Sequence, residues 1–201
     1  SGSSHIGDIS DNDIRAALAE GFAASADPAV LAECSAVVIA VPTPLVDYSP
    51  DLAFVEAATA AVGDHLQRGQ LVILESTTYP GTTEELLAPL LEANCGLKAG
   101  RDFWVAYSPE REDPNNADYS TTTIPKVVGG MTSDCCRVAT ALYDTIIVRT
   151  VPVSSAATAE ATKLLENIFR SINIALVNEL KVLLHKMDID IWEVIEAAKT
   201  K

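Results

Sequence analysis

Positive charge is scarce in this sequence: 14 Lys and Arg stand against 28 Asp and Glu, for a net charge of −14 over 201 residues. Sequence-independent binding to nucleic acid relies on Lys and Arg to neutralise phosphates, so the composition argues against that class. Histidine is scarcer still, at three, and the four cysteines are Cys34, Cys95, Cys135 and Cys136. A vicinal pair with two distant singles does not match zinc-ligand spacing, so no metal site is expected. The thiols read as reduced, structural residues of a cytoplasmic protein. No apolar run reaches the roughly 18 residues of a membrane-spanning helix. The opening "SGSSHIGDIS" has neither a basic stretch nor an apolar one and does not read as a secretion signal. Both usual phosphate cradles are missing too, since the ten glycines form neither G-x-G-x-x-G nor G-x-x-x-x-G-K-[ST].

What is present is an alternation of short apolar runs with helical stretches. "AVVIAV" (36–41), "LVILE" (71–75), "FWVAYSP" (103–109), "KVVGG" (126–130) and "TIIVRTV" (145–151) read as strands. Between them, "DLAFVEAATAAVGDHL" (51–66) places Leu52, Val55, Ala58, Val62 and Leu66 on one helical side, and Ser133 to Tyr143 reads as a further helix. Thr82 and Glu85 have capping-box spacing and predict a helix start, with "NCG" as its end. Continuously apolar strands separated by helices predict an α/β fold, a parallel sheet covered on both faces. Some 35 residues of helical and irregular sequence precede the first run, as though a first βαβ unit were missing.

Polar turns follow three of the runs: "VPTP", "ESTTYPGTT" and "SPERED". In open α/β sheets ligands lie beyond the carboxyl ends of the strands, so these turns predict one crevice built from Thr43, Thr77, Thr78, Glu110 and Arg111. A long helical tract starts near Ser155, and within "ATKLLENIFRSINIALVNEL" Lys163 and Asn167 lie four positions apart, on one stripe of an otherwise apolar helix. Taken alone, such a pair also suits a solvated face, Glu110 a helix-start acid, and Thr77 and Thr78 mere turn hydroxyls. Arg111 fits either a phosphate or a pair with Glu112 or Asp113, and Lys126 fits a solvated strand end.

In order along the chain, "VPTPL", "ESTTYPGTTEE", "SPERED", "IPKVVGG", "KLLENIFRSINIALVNEL" and "MDIDIWEVIEAA" resemble the UDP-glucose/GDP-mannose dehydrogenase family. "SPER" is more similar to the branch acting on UDP-N-acetylhexosamines than to UDP-glucose dehydrogenases. The resemblance implies oxidation of a UDP-sugar C6 alcohol to a carboxylate with two NAD. It also implies that Lys163 and Asn167 stabilise the C6 oxyanion and that Glu110 acts as general base or water-positioner. Thr77 would hold a proton-carrying water, Pro42 and Thr43 would meet the cofactor, and Arg111 would join Glu110 at the substrate. The implied fold is an incomplete Rossmann-like parallel sheet flanked by helices over 1–153, then a long central helix over 154–201. Residues 163–201 hold six basic and six acidic side chains, and this charge-neutral, apolar tract suits the family's dimer interface.

Two family features have no counterpart in the sequence: the Gly-rich turn for the NAD pyrophosphate, and the nucleophilic cysteine in a "GGHC" segment. None of the four cysteines sits in that context. The chain therefore reads as the middle of a dehydrogenase, without the C-terminal domain that grips UDP and inactive by itself. A 3-hydroxyacid dehydrogenase-like protein, which also spaces Lys and Asn by four, and a non-catalytic dimerisation remnant are the alternatives.

Overall fold

The computed structural model describes residues 2–7, 9–111 and 123–201. Helix α1 (Asp11–Ala19) starts on a Ser10–Asp13 capping box and buries none of its residues. After a 3-10 turn at Pro28–Glu33 come β1 (Ala36–Ile39), a small hairpin of β2 (Leu45–Val46) and β3 (Ser49–Pro50), and α2 (Ala53–Gly63). Strand β4 (Leu71–Leu74) leads through a π-helical stretch, Thr83–Leu87, into α3 (Ala88–Cys95). Then follow β5 (Trp104–Tyr107), β6 (Lys126–Gly130), α4 (Ser133–Tyr143) and β7 (Thr150–Val153). Helices α5 (Ala156–His185) and α6 (Ile191–Ala198) come last.

Five strands form one sheet in the order β1-β4-β5-β6-β7. β1, β4 and β5 are parallel, β6 is antiparallel to β5, and β7 is parallel to β6. The sheet is thus mixed, mostly parallel. A strand covered on both faces is apolar whichever way it runs, so the sequence showed its burial and not its direction.

Alternation along the strands splits the core into two layers. Val72, Leu74, Val105, Tyr107 and Val127 pack with Val55 and Val62 of α2, Leu91 of α3 and Ala156 and Ala159 of α5. On the other face Leu71, Ile73, Ala106 and Val128 meet Ala139 and Tyr143 of α4. Gly129 and Gly130 allow both helices to approach β6: a Cβ on Gly129 would lie 2.2 Å from the Ser155 carbonyl oxygen, and one on Gly130 2.1 Å from the Cys136 backbone nitrogen.

Three local expectations change. The run 145–151 is a strand only from Thr150; before it, Ile146 and Ile147 donate backbone bonds to Tyr143 and continue the turn after α4. Thr82 does not cap, because its hydroxyl donates to the Tyr79 carbonyl at 2.7 Å; the Thr82 and Glu85 amides donate to the Tyr79 and Gly81 carbonyls, and the Thr83 amide to Glu160 of α5. Lys126 is not solvated, since its side chain is only 12% exposed and lies 2.8 Å from the Glu75 carboxylate.

Candidate functional site

The loops after β1 and β4 are stapled by one side chain. Ser76 Oγ accepts from the Val41 amide at 2.9 Å and donates to the Val41 carbonyl at 2.7 Å, which satisfies two backbone groups where the strands end. The Tyr107 hydroxyl adds a bond to the Ser76 carbonyl at 3.2 Å, and the Ser108 hydroxyl holds the Val127 carbonyl at 2.8 Å. The stapled loops and the turn after β5 enclose a cleft of about 240 Å³. Pro42, Thr43, Thr77 and Glu110 line it together with Glu75 and Ser76. The three polar turns meet here at the carboxyl ends of β1, β4 and β5, with Thr43, Thr77 and Glu110 in the lining and Thr78 and Arg111 outside it.

Lys163 reaches this cleft through Glu110. Its ammonium donates to the Glu110 carbonyl oxygen and lies 3.6 Å from the Glu110 carboxylate, with its side chain 12% exposed and that of Glu110 53%. Asn167 lies one turn further along α5, where its amide oxygen accepts from Arg170 at 3.3 Å. Thr78, next to Thr77 in sequence, is buried and is not part of the cleft lining. Arg111 donates to the Pro125 carbonyl at 2.7 Å and forms a 2.6 Å ion pair with Glu166 of α5. The alternative partners Glu112 and Asp113 lie outside the described residues.

Two groups escaped the sequence reading. Glu75 pairs with Lys126 and accepts a bond from the Tyr143 hydroxyl, while the Lys126 ammonium sits 5.1 Å from the centre of the Tyr143 ring. Burial, with the Glu75 charge beside it, pushes the Tyr143 phenol well above its ordinary pKa. Glu160, one turn before Lys163, is completely buried. Its carboxylate accepts from the Gly81 amide at 2.6 Å, the Thr83 amide at 2.9 Å and the Thr83 hydroxyl at 2.7 Å. Burial first, and the Glu160 charge second, likewise raise the Tyr107 phenol. The only sequence signal for Glu160 is an acid at i−3 from Lys163, on the stripe that faces the sheet.

Among the described residues no group of three His, Cys, Asp or Glu side chains could hold a metal ion, and no helix is long and apolar enough to cross a membrane. None of the four cysteines lines the cleft.

Residues 8–147 match the model of the UDP-glucose/GDP-mannose dehydrogenase family, NAD binding domain, and residues 157–201 match the central domain of the same family. Over 173 residues the chain is 41% identical to the UDP-N-acetyl-D-glucosamine 6-dehydrogenase of Pseudomonas aeruginosa, covering 85% of this chain and 41% of that protein. It is 41% identical over 163 residues to the UDP-N-acetyl-D-mannosamine dehydrogenase of Pyrococcus horikoshii, covering 81% of this chain and 39% of the relative. The solved structure of the UDP-D-ManNAc dehydrogenase from Pyrococcus horikoshii superposes with a TM-score of 0.91 at 36% identity, covering 98% of this chain and 47% of that one. The chain spans about 40% of the length of the curated relatives it matches.

Proposed function

This chain belongs to the UDP-glucose/GDP-mannose dehydrogenase family, and from that premise we propose that it forms part of a nucleotide-sugar 6-dehydrogenase that oxidises the C6 alcohol of a UDP-N-acetylhexosamine to the carboxylate. The observation that carries the reading is the meeting of Lys163 with Glu110 at a cleft lined by Thr43 and Thr77. A half-buried ammonium fixed beside a carboxylate suits an alcohol whose oxygen becomes negative as its proton and hydride leave.

NAD would supply the hydride acceptor, one molecule for each of the two oxidations. The residues fit its nicotinamide end, because Thr43 and Thr77 line the cleft. The sequence holds neither Gly-rich pattern for the pyrophosphate. In this reading Pro42 and Thr43 border the cofactor, Thr77 holds a water, and Glu110 takes or relays the proton. Lys163 and Asn167 donate to the C6 oxyanion. Arg111, held by Glu166 and Pro125, steadies the Glu110 turn beside the substrate rather than standing free for a phosphate. No step is assigned to a cysteine of this chain.

We place the division between NAD-binding part and central helix at 153/154, where β7 ends before α5. The setting is cytoplasmic, and the partner is a second copy meeting along 155–201. The apolar face left exposed on α5 also favours a second reading, a dimerisation module without turnover. Titration calorimetry of the chain with NADH and with UDP-N-acetylhexosamines, beside NADH formation followed at 340 nm, separates the two. Binding that Lys163→Ala and Thr77→Ala weaken supports the dehydrogenase; self-association without any ligand binding supports the module.

A further inference from the structure

Thr77 and Lys163 belong to different elements, and a site built from both requires something to fix their separation. Glu160 is the side chain that spans the two. It lies on α5 at i−3 from Lys163 and i−7 from Asn167, on the stripe that carries them both. Its two carboxylate oxygens take three donors from the segment that follows Thr77: Oε2 accepts from the Gly81 amide at 2.6 Å, and Oε1 from the Thr83 amide at 2.9 Å and hydroxyl at 2.7 Å. At the start of the π-helical stretch the Thr82 and Glu85 amides donate to the Tyr79 and Gly81 carbonyls, so the carboxylate takes the Gly81 and Thr83 amides, which those local bonds leave over. An acid with no exposure whose partners are all on one loop has no solvent role.

We propose that Glu160 is a positioning residue, which clamps the Ser76–Thr83 segment to α5 and so sets the Thr77 side of the cleft against Lys163. The clamp itself rests only on the geometry above; its bearing on oxidation rests on the function proposed for the cleft. Charge and length are both required. Glu160→Gln keeps the length but puts an NH2 donor against one of the two N–H groups, and Glu160→Asp keeps the charge but is one methylene too short for both.

Amide hydrogen exchange, resolved by NMR on the chain without ligand, tests this. In Glu160→Gln and in Glu160→Asp the Gly81 and Thr83 amides should exchange roughly tenfold faster or more, the loss expected for hydrogen bonds to a charged acceptor. The Ser76, Thr77 and Thr78 amides should follow, while Val105 and Val128 in the central strands keep their protection. Acceleration confined to Gly81 and Thr83 would make Glu160 a helix cap and nothing more, and unchanged exchange would remove even that. Should both variants unfold, Thr83→Val, which deletes only the hydroxyl bond, must produce the same pattern at smaller amplitude; protection there equal to the parent's overturns the proposal. Where the parent oxidises a UDP-sugar, kcat should fall in Glu160→Gln with KM within about twofold, because binding groups remain and their alignment is lost. Exchange is read without substrate or cofactor, so a chain that binds neither would refute the proposed oxidation and leave the clamp to be judged independently.

Discussion

At Gly130 a methyl group has no space: a Cβ there would come within 2.1 Å of the Cys136 backbone nitrogen and 2.7 Å of the Thr132 carbonyl oxygen. At Gly129 it would sit 2.2 Å from the Ser155 carbonyl oxygen. The obstruction is backbone in both cases, at the first turns of α4 and α5, and backbone cannot rotate aside as a flexible side chain can. Gly129→Ala and Gly130→Ala should therefore each destabilise by about 1–3 kcal/mol or more in urea unfolding. Gly7→Ala, with nothing within 4 Å, should stay within about 0.5 kcal/mol of the parent. The cleft makes a separate demand on single residues. If Lys163 and Asn167 hold the developing oxyanion, Asn167→Ala should lower the kcat of the dehydrogenase that contains this chain by roughly 10²–10³ while leaving the urea midpoint in place, because among the described residues its side chain bonds to Arg170 on the same helix. An equal loss in kcat and in folding would assign Asn167 to structure. Of these residues, Lys163, Asn167, Thr77 and Glu110 could be picked out because their motifs are local in sequence. Glu75 and Glu160 could not, because their partners lie 51 or more positions away and no periodicity reports them.

Elements are joined at the end of β4 by a buried polar group rather than by more apolar contact. Glu75, Lys126 and Tyr143 tie β4, β6 and α4 together, with the two charged side chains 16% and 12% exposed. Breaking such a pair leaves a charge without its partner, whereas removing both members does not. Lys126→Met should cost about 3–5 kcal/mol in urea unfolding, and adding Glu75→Leu should restore most of it; additive losses would show that the pair contributes nothing as a pair. The phenols of Tyr107 and Tyr143 supply a pH test. Both are raised, so above about pH 10 the unfolded chain releases protons that the fold still holds, and stability falls with rising pH. The stability they contribute is complete below about pH 10 and lost above it. Two of the five tyrosines should then ionise at 295 nm only as the chain unfolds. At this scale the sequence was legible where signals are local. Helix α4 runs from Ser133 to Tyr143 as expected, because the Thr132 hydroxyl accepts from the Cys135 amide and fixes its start. The direction of β6 and the hairpin over 45–50 were not legible, since neither burial nor a two-residue strand leaves a distinct pattern. The failed capping box at Thr82 is a related case: backbone carbonyls of Tyr79 and Gly81 take the amides it would have served, and the next amide, of Thr83, goes to Glu160.

For the molecule as a whole, α5 is the unbalanced part. Its 30 residues, about 45 Å of helix, bury only Ala156, Ala159 and Glu160. Beyond Lys163 it presents Leu165 at 67%, Ile168 at 53%, Phe169 at 68% and Ile172 at 62% exposure. An exposed apolar stripe of this kind is the type of surface that partners cover, and a second copy is the occupant to test. Charge does not oppose self-association there. The excess of acidic side chains lies upstream, while residues 163–201 are balanced, so two such tracts can meet without net repulsion. Association driven by apolar burial should then be nearly independent of salt between about 0.05 and 0.5 M, whereas a charge-driven contact would weaken over that range. At micromolar concentration, light scattering should give a mass near twice the 21.3 kDa of the chain or above it. Phe169→Glu with Ile172→Glu should lower the mass to that of the monomer without altering the sheet, whose packing against α5 involves Ala156 and Ala159 instead. A monomeric parent at those concentrations would exclude the second copy as the occupant of this face. A dimer that persists in the double variant would move the contact elsewhere, to the exposed Val38 face of β1 or the free edge of β7.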